Sequence, residues 1–299
     1  MKDLDPAALD ALAALADAGS FERAAQRLAI TQSAVSQRLR ALELQVGQPL
    51  VVRSRPLRLT EPGKRLLRFA RQLQAMRADL ARELGEAPPA DQRLPIAVNA
   101  DSLATWVLPA LDALVHEGLS LELVVDDQDF THDWLRQGEV LGCVTSVSEA
   151  LRGCRVVPLG AMHYTAVASP GFVAEALPQG LNPANFAQVP FLVFNRKDDM
   201  QSRFARRMAG ADLPSTAPTW WIPSTRAFVQ ANLGGLGWTM NPLPLVKRHL
   251  DAGRLVYVRQ RAWEDVPLYW QHWKGDVQTM ALLTRAVLDA ASALVQRRR

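Results

Sequence analysis

Six residues, Gly85-Glu86-Ala87-Pro88-Pro89-Ala90, constrain the chain most, because no regular element runs through them. Proline has no backbone N–H and its ring clashes with the preceding turn, so a helix arriving at Pro88-Pro89 must stop. Before the break apolar residues recur at helical spacing; after it short apolar runs alternate with helical ones. Two architectures are therefore joined near residue 90, and 299 residues at 48% hydrophobic composition suffice to give each a core.

The first stretch reads as three capped helices. Asp5-Pro6 supplies an N-cap and a proline at the first helical position, Leu9, Leu12 and Leu15 an apolar face, and Gly19 a stop. Ser20 caps a second helix, Phe21 to Leu28, with Phe21, Ala24, Ala25 and Leu28 in the i, i+3, i+4, i+7 stripe. Thr31 caps a third that ends at Gly47 and buries Val35, Leu39, Leu42 and Val46. Ser33, Gln37 and Arg40 then fall on the opposite face, with Gln32 at the start and Ser36 on the flank. Such donors and acceptors suit base edges and phosphates, and a second helix presenting them after a tight turn matches a helix-turn-helix. An ordinary helical bundle fits the same spacing.

Charge separates the readings. Ser20 to Arg77 carries twelve Lys/Arg against three Asp/Glu, within a chain whose net charge is only +4. A basic segment followed by a near-neutral one is expected where only one part meets phosphates, although a solvated helical surface also gives it. Gln48 to Thr60 reads as a small hairpin wing whose Arg53 and Arg55 would lie along a DNA backbone. From Glu61 onward Leu66, Phe69, Leu73, Met76 and Leu80 alternate spacings of three and four, a coiled-coil seam that pairs with a second copy or packs on its own N-terminal unit.

The run from Ala24 to Ser54, AAQRLAITQSAVSQRLRALELQVGQPLVVRS, resembles the signature of LysR-type transcriptional regulators without gaps. VNADSLATWVLPAL, LRQGEVLGCV, FNRKDDM and LYWQHW further resemble its ArgP/LysG branch, whose members respond to lysine and arginine. The resemblance implies an α+β protein: an N-terminal winged helix-turn-helix with a long dimerisation helix, then a two-lobed α/β, periplasmic-binding-protein-like effector domain. It divides the chain into 1–60 for DNA binding, 61–90 for the dimerisation helix and hinge, and 91–299 for the effector domain, with lobe I at 91–161 and 267–299 and lobe II at 162–266. The implied partners are double-stranded operator or promoter DNA, a basic amino-acid effector, further copies of the chain as homodimer or homotetramer, and RNA polymerase. The implied targets are genes of amino-acid export or metabolism.

Read from the residues, LPIAVNA, LSLELVV, VLGCVTS, RVVPLG, YTAVAS and PFLVF are strands, with helices such as Leu103 to Val115 and Ala227 to Leu233 between them. Ligands of open α/β sheets sit beyond strand carboxyl ends, at helix N-termini. Asp101, Ser102 and Thr105 occupy such a position, where Ser102 and nearby N–H groups would hold a carboxylate or Asp101 and Ser102 merely cap a helix. Asp126, Asp127 and Asp129 follow a second strand and Asp198 and Asp199 a third, placing carboxylates that would pair with a cationic ligand or simply be acidic loops. Ser224 precedes another helix and would cap it or reach the ligand. Arg226 departs from the branch, whose members carry an acidic residue in the matching place, and puts the ligand's identity in question. Trp220, Trp221, Trp263, Trp270 and Trp273 are read as core or interface.

The sequence contains no GxSxG elbow, HExxH or Walker motif, its five histidines are scattered, and Cys143 and Cys154 lack ligand spacing. No enzyme activity, metal or cofactor is expected. With no signal peptide and no window near the roughly 18 apolar residues of a membrane span, a cytoplasmic protein without membrane association is expected. A solute carrier built from the two-lobed domain alone is the competing reading, which the basic N-terminal segment opposes.

Overall fold

The structure is a computed structural model describing residues 3–52, 54, 56–86, 93–117, 119–127, 129–259, 263–275 and 277–294. Helices α1 (Pro6–Ala18), α2 (Phe21–Arg27) and α3 (Gln32–Val46) begin at Asp5, Ser20 and Thr31, whose side chains accept from Ala7, Arg23 and Ala34 N–H groups. Gly19 and Gly47 end α1 and α3 at φ of 65° and 75°, a region open to glycine without strain. Strands β1 (Val51–Val52) and β2 (Arg58–Leu59) pair antiparallel as the hairpin. Leu9, Leu12, Leu15, Leu39 and Leu42 make one core with Leu50 from the hairpin and Leu67 and Ala70 from the long helix α4 (Glu61–Glu83).

Helix α4 is apolar on two sides. Leu67 and Ala70 are buried in the N-terminal core, with Leu66 and Leu73 half-buried against it, while Phe69, Met76 and Leu80 stay 43, 55 and 56% exposed. The expected seam is thus split between the helix's own domain and an open stripe.

Beyond it, β3 (Leu94–Asn99) leads through a short helix α5 (Ala100–Ser102) and a π-helical turn, Leu103–Val107, into α6 (Leu108–His116). The remaining elements are β4 (Leu121–Asp126), α7 (Thr131–Gln137), β5 (Gly142–Thr145), β6 (Cys154–Ala168), α8 (Pro170–Ala176), β7 (Phe191–Val193), α9 (Met200–Ala209), β8 (Thr219–Trp221), α10 (Thr225–Leu233), β9 (Thr239–Pro242), α11 (Leu243–Asp251), β10 (Val256–Tyr257), β11 (Trp263–Trp273) and α12 (Gln278–Ala290). The main sheet runs β10-β6-β11-β5-β3-β4, with β9 also on β6; β7 and β8 form a parallel pair. RVVPLG and most of YTAVAS, read as separate strands, belong to the single strand β6, which pairs antiparallel with β11 from Cys154 to Thr165. Residues 161 and 162 meet 267 and 266, so β6 and β11 run side by side there. Trp270 and Trp273 are buried, whereas Trp220, Trp221 and Trp263 are exposed.

Two ties fix α4 to the β3 side of the molecule. Arg71 donates through Nε to the Gly138 carbonyl at 3.1 Å and through Nη2 to Asp17 at 2.6 Å. Gly138 has φ of 77°, and a Cβ there would lie 2.7 Å from the Lys64 carbonyl, so only glycine allows this approach. Asp79 accepts from the Thr279 N–H and hydroxyl at the start of α12, which has no local side-chain cap. Arg82 closes the cluster by donating to Asp79 and Thr279.

Candidate functional site

The end of β3 pairs in parallel with the end of β4, Asn99 beside Asp126, so the chain leaves both strands at one edge of the sheet. Asp101 and Asp127 follow those ends. Asp198 reaches the same cavity from the segment between β7 and α9, where its carboxylate accepts from the Phe194 and Met200 N–H groups at 2.9 and 3.1 Å. The cavity, of about 50 Å³, is lined by Asp101, Asp126, Asp127 and Asp198, with Tyr164, Gln201 and Thr225 among its polar neighbours. No lysine or arginine among the described residues lines it. Phe194, Met200, Phe228 and Met240 give it apolar walls.

Carboxylates crowded into a poorly hydrated slot resist ionisation. Burial pushes Asp101 up to about 6, Asp198 and Asp127 adding to the effect against a 2.7 Å hydrogen bond from the Tyr164 hydroxyl. Burial likewise pushes Asp127 up to about 6, helped by Asp129, Asp198 and Asp126. Asp198 is also raised, by burial and Asp199, despite its two backbone donors. Asp126 is held low: burial opposes ionisation there, but Trp134 Nε1, the Asp127 N–H and Lys197 outweigh it. Asn99 Oδ1 and Gln201 Oε1 are buried acceptors without a partner among the described residues, and both residues line the cavity. Such atoms are costly unless a donor arrives.

Charge pairs bridge the cleft rim. Lys197 reaches Asp126 at 3.2 Å and lies 4.4 Å from the Phe130 ring centre. Arg203 spans Asp129 at 3.3 Å and Asp199 at 2.9 Å, and Ser146 also donates to Asp129. Asp129 and Asp199 are thus engaged at the rim.

Three further residues singled out from the sequence lie outside the cavity lining. Ser102 is fully buried, the Thr105 hydroxyl donates to the Asp101 carbonyl at 2.6 Å, and Ser224 caps α10 by accepting from Ala227. Arg226 is exposed and does not line the cavity. Asn99 and Thr225, which line the cavity, lie in the strand-end and helix-start segments that the sequence points to, whereas Tyr164 and Gln201 went unrecognised, because a mid-strand and a helix-start polar residue give no periodic signal. The tyrosine inside the apolar run YTAVAS was the one visible anomaly.

On the N-terminal unit, Gln32, Ser33, Gln37 and Arg40 are exposed on α3 and Ser36 is half-buried. The Ser33 and Thr31 hydroxyls share a 3.0 Å hydrogen bond at the helix start. Arg53 and Arg55 of the wing, and positions 87–90 of the hinge, lie outside the described residues.

Comparison with known proteins fits both parts. Residues 6–64 match the bacterial regulatory helix-turn-helix protein, lysR family, and residues 89–288 the LysR substrate binding domain. The chain is 43% identical over 300 residues to the HTH-type transcriptional regulator LysG of Mycobacterium tuberculosis, covering 99% of this chain and 97% of that one. The crystal structure of ArgP from Mycobacterium tuberculosis superposes with a TM-score of 0.85 at 42% identity, over 99% of this chain and 100% of the other. Full-length LysG from Corynebacterium glutamicum with bound effector Arg gives 0.77 at 36% identity, over 98% and 100%.

Proposed function

The chain belongs to the LysR family of bacterial helix-turn-helix transcriptional regulators, and from that premise we propose that a basic amino acid, lysine or arginine, bound in the carboxylate-lined cleft sets its activity on DNA. It is a regulator and not an enzyme. The observation that carries the reading is a cavity with four aspartates and no lining cation among the described residues. An ammonium or guanidinium there offsets the repulsion between Asp101, Asp127 and Asp198 and donates to Asn99 Oδ1 and Gln201 Oε1. The hydroxyl of Thr225 and the N-terminal end of α10 form the wall suited to the α-carboxylate. The arginine bound by the Corynebacterium LysG structure supports the same choice of ligand.

On DNA, Ser33 and Gln37 read base edges in the major groove, with Gln32 and Ser36 beside them, and Arg40 with the wing residues Arg53 and Arg55 holds phosphates. The division into residues 1–60, 61–90 and 91–299, with lobes meeting at 161–162 and 266–267, fits the side-by-side passage of β6 and β11. The open stripe of α4 pairs with the same stripe of another copy, and promoter-bound protein works with RNA polymerase in the cytoplasm. No helix among the described residues is long and apolar enough to cross a membrane.

A thermal-shift series with L-lysine, L-arginine, L-glutamate and norleucine tests the ligand class, since a ligand that binds only folded protein raises the midpoint as its concentration rises. Stabilisation by the two basic amino acids is expected; stabilisation by norleucine or glutamate instead would overturn the reading.

A further inference from the structure

A second concavity lies beside the tie between Arg71 and Gly138, where the first half of α4 faces the turn at 151–153. Its volume is about 670 Å³, and Lys64, Arg65, Arg68, Arg136 and Arg152 line it with a single acid, Glu61. Glu61 is engaged by Lys64 at 2.7 Å, and Arg136 by Asp133 at 2.7 Å. Arg65 feels the Glu61 carboxylate at longer range, but neither it nor Arg68 nor Arg152 forms an ion pair at contact distance among the described residues.

The cluster is built rather than scattered. Arg68 stacks its guanidinium 4.2 Å from the ring centre of Trp273, a buried side chain whose Nε1 donates to the Val140 carbonyl. That fixes one cation in the floor and keeps the pocket side of the indole covered. Arg68 is held below its ordinary value chiefly by burial, with Cys154 opposing and Arg65 adding to it, so two guanidiniums sit close together with no ion pair to a carboxylate. Both walls are locked: Arg71, one turn along α4, grips the Gly138 carbonyl, and Gly138 packs against Lys64 and Arg68. Like charges fixed at close range are relieved by an anion, and planar guanidiniums favour phosphate.

We propose that this groove binds a phosphate-bearing polyanion, either a free polyphosphate or the backbone of flanking DNA. Because α4 carries the DNA-binding unit and the opposite wall belongs to the effector domain, the bound phosphates join the two parts at a point outside the amino-acid cleft.

The test is calorimetric titration of the full chain with sodium tripolyphosphate at constant low ionic strength, beside DNA affinity measured across a salt series. Both are repeated on the Arg65→Gln/Arg152→Gln double variant, whose side chains are exposed, so folding is retained. Saturable tripolyphosphate binding that weakens about tenfold or more in the variant, with DNA affinity unchanged, assigns the groove to a free polyanion. No tripolyphosphate binding but a DNA salt slope reduced by about one or two in the variant assigns it to backbone phosphates. If neither wild-type property differs from the variant's, the proposal is overturned.

Discussion

Arg71 donates to Asp17 at 2.6 Å and, from the same guanidinium, to the carbonyl of Gly138, so one side chain holds α1, α4 and the effector domain together. Arg71 is 8% exposed, and its loss leaves the Gly138 carbonyl unpaired while Asp17 keeps its contact with Arg27. Arg71→Ala is expected to cost about 1 to 3 kcal/mol in urea unfolding followed by tryptophan fluorescence. A change under about 0.5 kcal/mol would show that the tie is incidental.

The cleft carboxylates make stability and ligand affinity depend on pH. Asp101 and Asp127 sit at about 6 when folded, against 3.8 ordinarily, so the folded state binds protons more tightly than the unfolded chain. Their contribution to stability is therefore present at low pH and is lost as pH rises from about 4 through 6. A cationic ligand needs the ionised forms, so its affinity rises across the same interval and levels off above about pH 7, with protons released on binding. Titration with arginine from about pH 5 to 8 checks this. Asp127→Asn is expected to weaken binding at least tenfold, by about 1.4 kcal/mol or more, without destabilising the ligand-free protein.

Phe69, Met76 and Leu80 are exposed together on α4, and the proposed self-association uses that stripe. Replacing Met76 and Leu80 with glutamate puts like charges into any pairing across that stripe while leaving Leu67 and Ala70 in their own core. Analytical ultracentrifugation is expected to report a lower mass, and DNA affinity to fall with it because two recognition helices no longer act together. An unchanged mass would move the interface elsewhere.

The proposed DNA reading divides the exposed residues of α3 by role. Gln37→Ala is expected to cost about 1 to 3 kcal/mol on the preferred site and to relax preference at one base pair. Arg40→Ala is expected to weaken all sequences alike and to lower the salt slope by about one. Binding selections on randomised DNA distinguish the two patterns.

Much of the N-terminal unit was legible because its signals are local. A cap at Asp5, Ser20 or Thr31 bonds two or three residues on, and a glycine stop acts within its own turn. The acidic ends of β3 and β4 were readable for the same reason, since strand ends place neighbouring residues at one edge. What escaped depends on contacts far apart in the chain. The Asp79–Thr279 cap spans 200 residues, and Tyr164 reaches Asp101 across 63. Strand β6 looked like two because Gly160 and Pro158 interrupt its apolar pattern, yet β11 pairs with it from Cys154 to Thr165, with one register shift between Leu268 and Tyr269. Ser102, Thr105 and Ser224 share the strand-end and helix-start signal with Asp101, and sequence alone gives no means of telling which of them turn toward the cavity.

The most direct test of the central claim is a nuclease footprint on a promoter fragment that the protein itself selects from genomic DNA, taken with and without L-arginine and L-lysine. A ligand that binds one arrangement of the lobes better than another must shift the arrangement of the attached DNA-binding units. The account expects the protected span to change with either basic amino acid in wild-type protein and to stay fixed in Asp127→Asn. A wild-type span and transcription output that are identical in all conditions would contradict it.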